Sequence, residues 1–265
     1  MCAKLEVKNA TFSYNGERNI FEDISFSVDS GDVFCILGPN GTGKSTLLRC
    51  LCNLYRLNSG NILIDGRDIT SYSPANLAKK IGFIPQLHTP TFPYTVLQVV
   101  LMGRTPHLNM IATPSEKDYR IAEAAIKTVN IEYIKDKPYT ELSGGQMQLV
   151  LMARVLAQEP EILLLDEPTS HLDVGNQIHT IEMIRKLSKQ GLSLIMTSHF
   201  PDHTFLSSHR VGIMKNKRFI AIGRADDVVT EENLFEIYGV PIKIIQMDGE
   251  INRKIAVPII KEESE

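Results

Sequence analysis

Val33-Phe34-Cys35-Ile36-Leu37-Gly38-Pro39-Asn40-Gly41-Thr42-Gly43-Lys44-Ser45 is the stretch that decides the fold. VFCIL is an unbroken apolar run, the pattern of a strand buried on both faces. The next eight residues fit G-x-x-x-x-G-K-[ST] at every fixed position. A helix-like stretch, KSTLLRCLCNLY, follows at once. Strand, glycine loop and helix start, in that order, build an anion cradle. Glycines let successive backbone N–H groups turn toward a phosphate, and the helix N-terminus adds partial positive charge. In such a cradle Lys44 reaches the β- and γ-phosphates and the Ser45 hydroxyl serves a magnesium ion.

Outward from this stretch the pattern is mixed. LEVKNATFSY, ISFSV (24–28), NILID (61–65) and IGFIPQ (81–86) read as short strands around turn signals. From about 88 to 158 the character becomes helical. Pro90, Pro93, Pro106 and Pro114 punctuate it, then VLQVVLM (96–102) and SEKDYRIAEAAIKTVN (115–130) follow, the latter opened by Ser115 and Asp118 as a near capping box. Strand character returns in EILLLD (161–166), SLIMTS (193–198), VGIM (211–214) and RFIAIG (218–223), with a helix at 174–190 stopped by Gly191. Strands alternating with helices predict a parallel sheet covered on both faces. IKIIQMD and INRKIAVPII predict a hairpin around Asp248-Gly249, and KEESE closes the chain as an acidic tail.

Composition narrows the class. At 265 residues, 43% hydrophobic and 22% charged, the chain is expected to bury a full core without disulfide or metal staples. Lys and Arg number 28 against 31 Asp and Glu, a net charge of −3, so no nucleic-acid partner is expected. No apolar run approaches a membrane span, and MCAKLEVKN lacks the apolar stretch of a secretory leader. Cys2, Cys35, Cys50 and Cys52 have neither CxxC nor zinc spacing and read as reduced thiols.

Two further motifs carry chemistry. Ile162-Leu163-Leu164-Leu165-Asp166-Glu167 puts two carboxylates at the C-terminal end of a buried strand, the end where open α/β sheets bind ligands. Asp166 is placed to hold magnesium and Glu167 to polarise a water. Leu142-Ser143-Gly144-Gly145-Gln146 leads into a strong helix, MQLVLMARVLAQEP, and forms a second anion-binding helix N-terminus. One nucleotide has no use for two such loops in one chain. The economical reading is that the second serves the nucleotide of another subunit.

With these motifs the sequence resembles the ATP-binding cassette (ABC) ATPases over about residues 4–240; Leu-Ser-Gly-Gly-Gln is that family's signature. The resemblance implies an α/β P-loop NTPase with a RecA-like, mostly parallel core sheet (1–87 and 159–240), an N-terminal antiparallel β subdomain and a helical insertion (88–158). Residues 241–265 would be an extension. The cofactors implied are ATP and magnesium, held by Gly38, Pro39, Asn40, Gly41, Thr42, Gly43, Lys44, Ser45 and Thr46. Tyr14 resembles the aromatic that stacks on adenine. Gln86 resembles the glutamine that senses magnesium and the γ-phosphate, and His199 the switch histidine that contacts the γ-phosphate. Ser170-His171-Leu172-Asp173 resembles the loop that crosses a dimer interface. The implied assembly is a head-to-tail homodimer in which Ser143, Gly144, Gly145, Gln146 and Asp173 of one copy complete the other's site. The catalytic set implied is Glu167, His199, Lys44 and Gln86, with Ser45, Gln86 and Asp166 on the metal. Gln146-Met147-Gln148-Leu149 departs from the family, many members of which have basic residues at 147 and 149, and His171 stands where Ala is common.

The same resemblance bears on what the ATP drives. One cassette without heptads or a basic tail points to a transporter subunit, with the channel a separate multi-span permease at the cytoplasmic membrane face and a substrate-binding protein as an indirect partner. TFPYTVLQVVLMGRTPHLNM (91–110) resembles importers of metal chelates: iron–siderophore, haem and cobalamin systems. Some relatives of this pattern handle molybdate or tungstate. A soluble regulatory or repair ATPase and a kinase-like P-loop enzyme are the readings of other classes.

Overall fold

The computed structural model of the chain describes residues 3–86, 91–109, 112–170, 172–247, 249 and 253–260. The chain opens with β1 (Leu5–Phe12), β2 (Phe21–Val28), β3 (Val33–Leu37), α1 (Lys44–Leu51), β4 (Ser59–Ile64), β5 (Arg67–Asp68), α2 (Pro74–Ala78) and β6 (Ile81–Ile84). A helical stretch follows: α3 (Val96–Leu101), a 3₁₀ turn over Met102–His107, α4 (Glu116–Thr128) and α5 (Gly144–Ala157). The remainder is β7 (Ile162–Leu165), α6 (Val174–Lys189), β8 (Ser193–Ser198), α7 (Pro201–Ser207), β9 (Arg210–Lys215), β10 (Arg218–Gly223), α8 (Ala225–Val228), α9 (Glu231–Tyr238), β11 (Ile242–Met247) and β12 (Arg253–Pro258).

The main sheet has the order β10-β9-β3-β8-β7-β6. All its neighbours are parallel except β10, which pairs antiparallel with β9. The smaller sheet, β2-β1-β4-β5, is antiparallel. Every residue of β3, β7 and β8 is buried, because layers cover both faces. The period of two survives in what each side chain meets. Val33, Cys35 and Leu37 point into the core shared with Leu163, Leu165, Val150 and Ile184. Phe34 and Ile36 point the other way, toward Leu47, Leu51 and the antiparallel sheet's Phe26 and Ile62. Phe26 stacks on Phe34 with ring centroids 4.6 Å apart, which joins the two sheets.

Some boundaries differ from the sequence reading. The helix after the glycine loop stops at Leu51, short of Tyr55, because Asn53 turns left-handed at φ +55°. Gly103 and Pro106 convert the end of VLQVVLM into the 3₁₀ turn. A Cβ at Gly103 would stand 2.0 Å from the Arg154 carbonyl, so only glycine permits this turn to lie against α5. The hairpin β11–β12 pairs Ile242 through Met247 with Pro258 through Arg253. Asp248 and the KEESE tail lie outside the described residues, as do Cys2 and Pro90. Cys35, Cys50 and Cys52 are free, and burial pushes each thiol up to about 12, which leaves them inert.

Arg104 and His107, drawn into the resemblance to metal-chelate importers, join elements of the fold. Arg104 is buried and donates to Asp118 (3.0 Å), to the Ala157 carbonyl (2.7 Å) and to Glu159 (2.7 Å). A nitrogen of His107 meets the Gln158 carbonyl at 2.9 Å. The turn thus satisfies carbonyls at the C-terminal end of α5, which have no partner within the helix. Asp118 is held down to about 2, by the Ser115 hydroxyl and N–H first and by Arg104 after them. A carboxylate whose folded pKa lies below its unfolded value stabilises the fold above that unfolded value and loses the contribution as pH falls. Arg104→Met should cost about 2 kcal/mol near neutral pH, because buried Asp118 loses its cation, though not its Ser115 bonds, and the Ala157 carbonyl loses a donor. The wild-type loss of stability from about pH 4 to about 2 should become shallower in the variant. Denaturant midpoints measured across that range check both.

Candidate functional site

Parallel strands deliver the site. The C-terminal ends of β3, β8, β7 and β6 lie side by side, and each runs into one part of it. After β3 comes the loop 38–43. Gly38 packs so close to β9 that a Cβ would sit 2.5 Å from the Met214 carbonyl, and Gly43 caps α1 at φ +101°. Thr42 donates to the Pro39 carbonyl at 3.0 Å and closes the loop. Lys44, 4% exposed, points back over it and donates to the carbonyls of Gly38 (2.7 Å) and Pro39 (2.9 Å). Its ammonium stands 3.7 Å from Glu167 Oε1. Burial lowers the Lys44 pKa, and the nearby Glu167 and Asp166 oppose that shift.

β7 delivers the two carboxylates. Asp166 Oδ1 accepts hydrogen bonds from the Ser45 and Thr197 hydroxyls, both at 2.9 Å. Burial raises the Asp166 pKa and the two hydroxyls lower it. Glu167 adopts φ +48°, rare for a residue with a side chain, and its N–H donates to Thr197 Oγ1 at 2.8 Å. Thr197 on β8 therefore fixes both acids at once. The sequence reading missed it; the available signal was a threonine and a serine directly after the apolar Leu194-Ile195-Met196 of that strand. From β6, Gln86 Nε2 donates to Glu167 Oε2 at 2.9 Å. From β8, His199 Nδ1 lies 3.1 Å from the same oxygen. Four strand ends converge on one buried carboxylate.

A cavity of about 350 Å³ opens above this cluster. Tyr14, Asn40, Gly41, Gly43, Lys44, Ser45, Thr46, Gln86 and Glu167 line it together with Ile20. Gly38, Pro39 and Thr42 form the underside of the loop, and Asp166 and His199 support the cavity through Ser45 and Glu167. Tyr14 is 56% exposed, its hydroxyl 3.0 Å from Thr46 Oγ1 and its ring edge-on to Phe12 and Tyr55. A ring left open beside a phosphate cradle suits a base that stacks.

Magnesium fits the oxygens present. Asp166 is buried, meets two hydroxyls and forms no salt bridge among the described residues. A buried carboxylate beside a serine hydroxyl is a hard-oxygen pair suited to that ion. No cluster of three or more His, Cys, Asp and Glu able to hold a metal occurs among the described residues. An ion that keeps its waters and binds phosphate needs none.

The signature residues lie elsewhere. Ser143 caps α5 in a capping box with Gln146, and Ser143 and Gly144 are exposed. Neither they nor Gly145, Gln146 and Asp173 line the cavity. Gly145 abuts α6: a Cβ there would stand 2.7 Å from the Asn176 side chain. Asp173 caps α6, accepting from the Asn176 N–H at 2.8 Å and from its side-chain amide at 2.7 Å; these bonds lower its pKa. Met147 and Leu149, the apolar departures, pack against the core. His171 lies outside the described residues, as does His88. Of the other histidines, His203 is buried at 3.1 Å from Thr169 Oγ1 and His179 is on the surface.

Residues 21–170 match the ABC transporter family. The chain is 38% identical to the "Probable iron chelatin transport ATP-binding protein" of Helicobacter pylori, over 93% of its own length and 97% of that protein's. It is 35% identical to the molybdate import ATP-binding protein MolC of Haemophilus influenzae, over 90% of its length and 89% of the relative's. Its fold superimposes on a chain of a metal-chelate type ABC transporter in an inward-facing conformation with a TM-score of 0.87, at 33% identity and 98% coverage of both. The chain therefore belongs to the ABC transporter family as one of its ATP-binding, ATP-hydrolysing subunits.

Proposed function

We propose that this subunit powers import of a metal chelate through a separate membrane permease, two copies closing head to tail on ATP. The convergence of Lys44, Gln86 and His199 on Glu167 carries the catalytic part of the reading. Phosphoryl transfer to water requires positioning and neutralisation of charge more than covalent chemistry. The loop amides and Lys44 take the β- and γ-phosphates. Ser45, Asp166 and Gln86 would hold magnesium, which supplies charge neutralisation at the phosphates when bound. Glu167 orients a water and accepts its proton as the oxygen attacks phosphorus. Gln86 and His199 hold Glu167 at the angle this requires, and His199 faces the γ-phosphate.

Two observations support a second copy. The helix N-terminus at Ser143 and Gly144 is exposed and has no acidic side chain in its first turn. The cavity that would need such a helix N-terminus is lined by none of Ser143, Gly144, Gly145 and Gln146. A permease is favoured by a largely apolar cavity of about 390 Å³ between Leu54, Pro74, Leu77, Ile81 and Phe83, a seat for a helix presented at the cytoplasmic face of the membrane. No helix among the described residues is long and apolar enough to cross a membrane, so this chain would attach there through that partner. A substrate-binding protein would act at one remove, on the permease.

For cargo, the iron chelatin relative and the metal-chelate type structure favour a chelate, and MolC keeps molybdate as the second reading. Glu167→Gln should keep ATP binding within about 2-fold and lower turnover at least about 100-fold; nucleotide titration and phosphate release measure the two. Hydrolysis near wild type would remove Glu167 from its role. In cells, the same variant should abolish uptake of a radiolabelled iron chelate and leave molybdate uptake intact. The opposite pattern would assign the cargo to the oxyanion.

A further inference from the structure

The His199 turn is held from behind by a part of the chain beyond residues 21–170. Helix α9 ends at Tyr238, and Gly239, at φ +71°, turns the chain into the β11–β12 hairpin. The Tyr238 hydroxyl donates to the His199 carbonyl at 2.8 Å. Three residues further along, Asp202 in the first turn of α7 accepts the Ala256 N–H of β12 at 2.8 Å. The hairpin is itself fastened to α9: Glu231 pairs with Lys243 at 2.7 Å and accepts the Ile244 N–H at 3.1 Å. Both ends of the 199–202 turn are therefore tied to the C-terminal segment. The opposite side of His199 carries the imidazole that meets Glu167. Burial pushes the Tyr238 pKa upward, so the hydroxyl stays protonated and remains a donor.

We propose that α9 and the hairpin are a positioning device for His199, in which Tyr238 and Asp202 fix the backbone at 199–202 so that the imidazole stays aimed at Glu167 and the γ-phosphate. Neither residue lines the cavity; each acts through His199. The inference rests on the proposed role of His199 in turnover. The Lys44 cradle has no contact with Tyr238 or Asp202 among the described hydrogen bonds, so loosening the turn should affect turnover and spare binding.

Steady-state ATP hydrolysis by the full chain tests this, with Tyr238→Phe, Asp202→Ala, Asp202→Asn and His199→Ala compared under identical magnesium and ATP. Losing one backbone-fixing hydrogen bond should lower kcat about 5- to 10-fold in Tyr238→Phe and in Asp202→Ala, with KM for ATP within about 2-fold of wild type. Asp202→Asn keeps a side-chain oxygen that accepts the Ala256 N–H, so kcat should return to near wild type. A wild-type kcat in Tyr238→Phe and Asp202→Ala, alongside a His199→Ala variant that has lost turnover, would overturn the device while keeping His199 in the mechanism. Full turnover in His199→Ala would instead overturn the role of His199 itself. An Asp202→Asn variant as impaired as Asp202→Ala would also overturn the proposal, since the hydrogen bond would not be what matters.

Discussion

A buried carboxylate at the end of β7 is the constraint around which the site is arranged. Glu167 is 7% exposed, and a polar group so enclosed is tolerable only with hydrogen-bonding or charged partners. Lys44, Gln86 and His199 provide them, each from a different strand end. The backbone meets a second demand, because φ +48° at Glu167 is a conformation that L-residues avoid. The Thr197 hydroxyl, which takes the Glu167 N–H and donates to Asp166, helps to hold it there. Strand order makes this possible. β8 lies next to β7, so Thr197, near its C-terminal end, stands beside both acids.

Much of this was legible along the chain. The buried strand at 33–37, the glycine loop and the acidic strand end are local patterns whose chemistry lies in adjacent residues. What was not legible depends on partners far away in sequence. Thr197 meets Asp166 and Glu167 across about thirty residues, and Tyr238 meets His199 across 39. Nothing in SLIMTS says that its threonine will face a carboxylate. Arg104 is the instructive case. In the sequence it belonged to a stretch resembling one kind of importer. In the fold its guanidinium is a buried joint between the 3₁₀ turn, α4 and the end of α5.

The signature turn is packed against the start of α6. Gly145 lets α5 approach Asn176, and Asn176 is held by Asp173. The signature turn and the start of α6 are thus one packed unit, and a displacement of one carries the other. Both helices begin with a side-chain cap, which leaves their remaining N-terminal N–H groups available to an incoming anion. In the proposed reading the cradle and the signature turn are the two halves of one site, and within a single chain the signature turn does not line the cavity.

That separation gives the account its most direct test. Lys44→Ala disables the cradle, and Ser143→Arg blocks the signature turn, each in a separate preparation. Mixed together, the two copies form dimers in which one interface pairs the damaged cradle with the damaged turn and the other interface is intact. Turnover should be absent from either preparation alone and should reappear on mixing. No recovery on mixing, or full turnover by Ser143→Arg alone, would contradict a nucleotide shared between two copies.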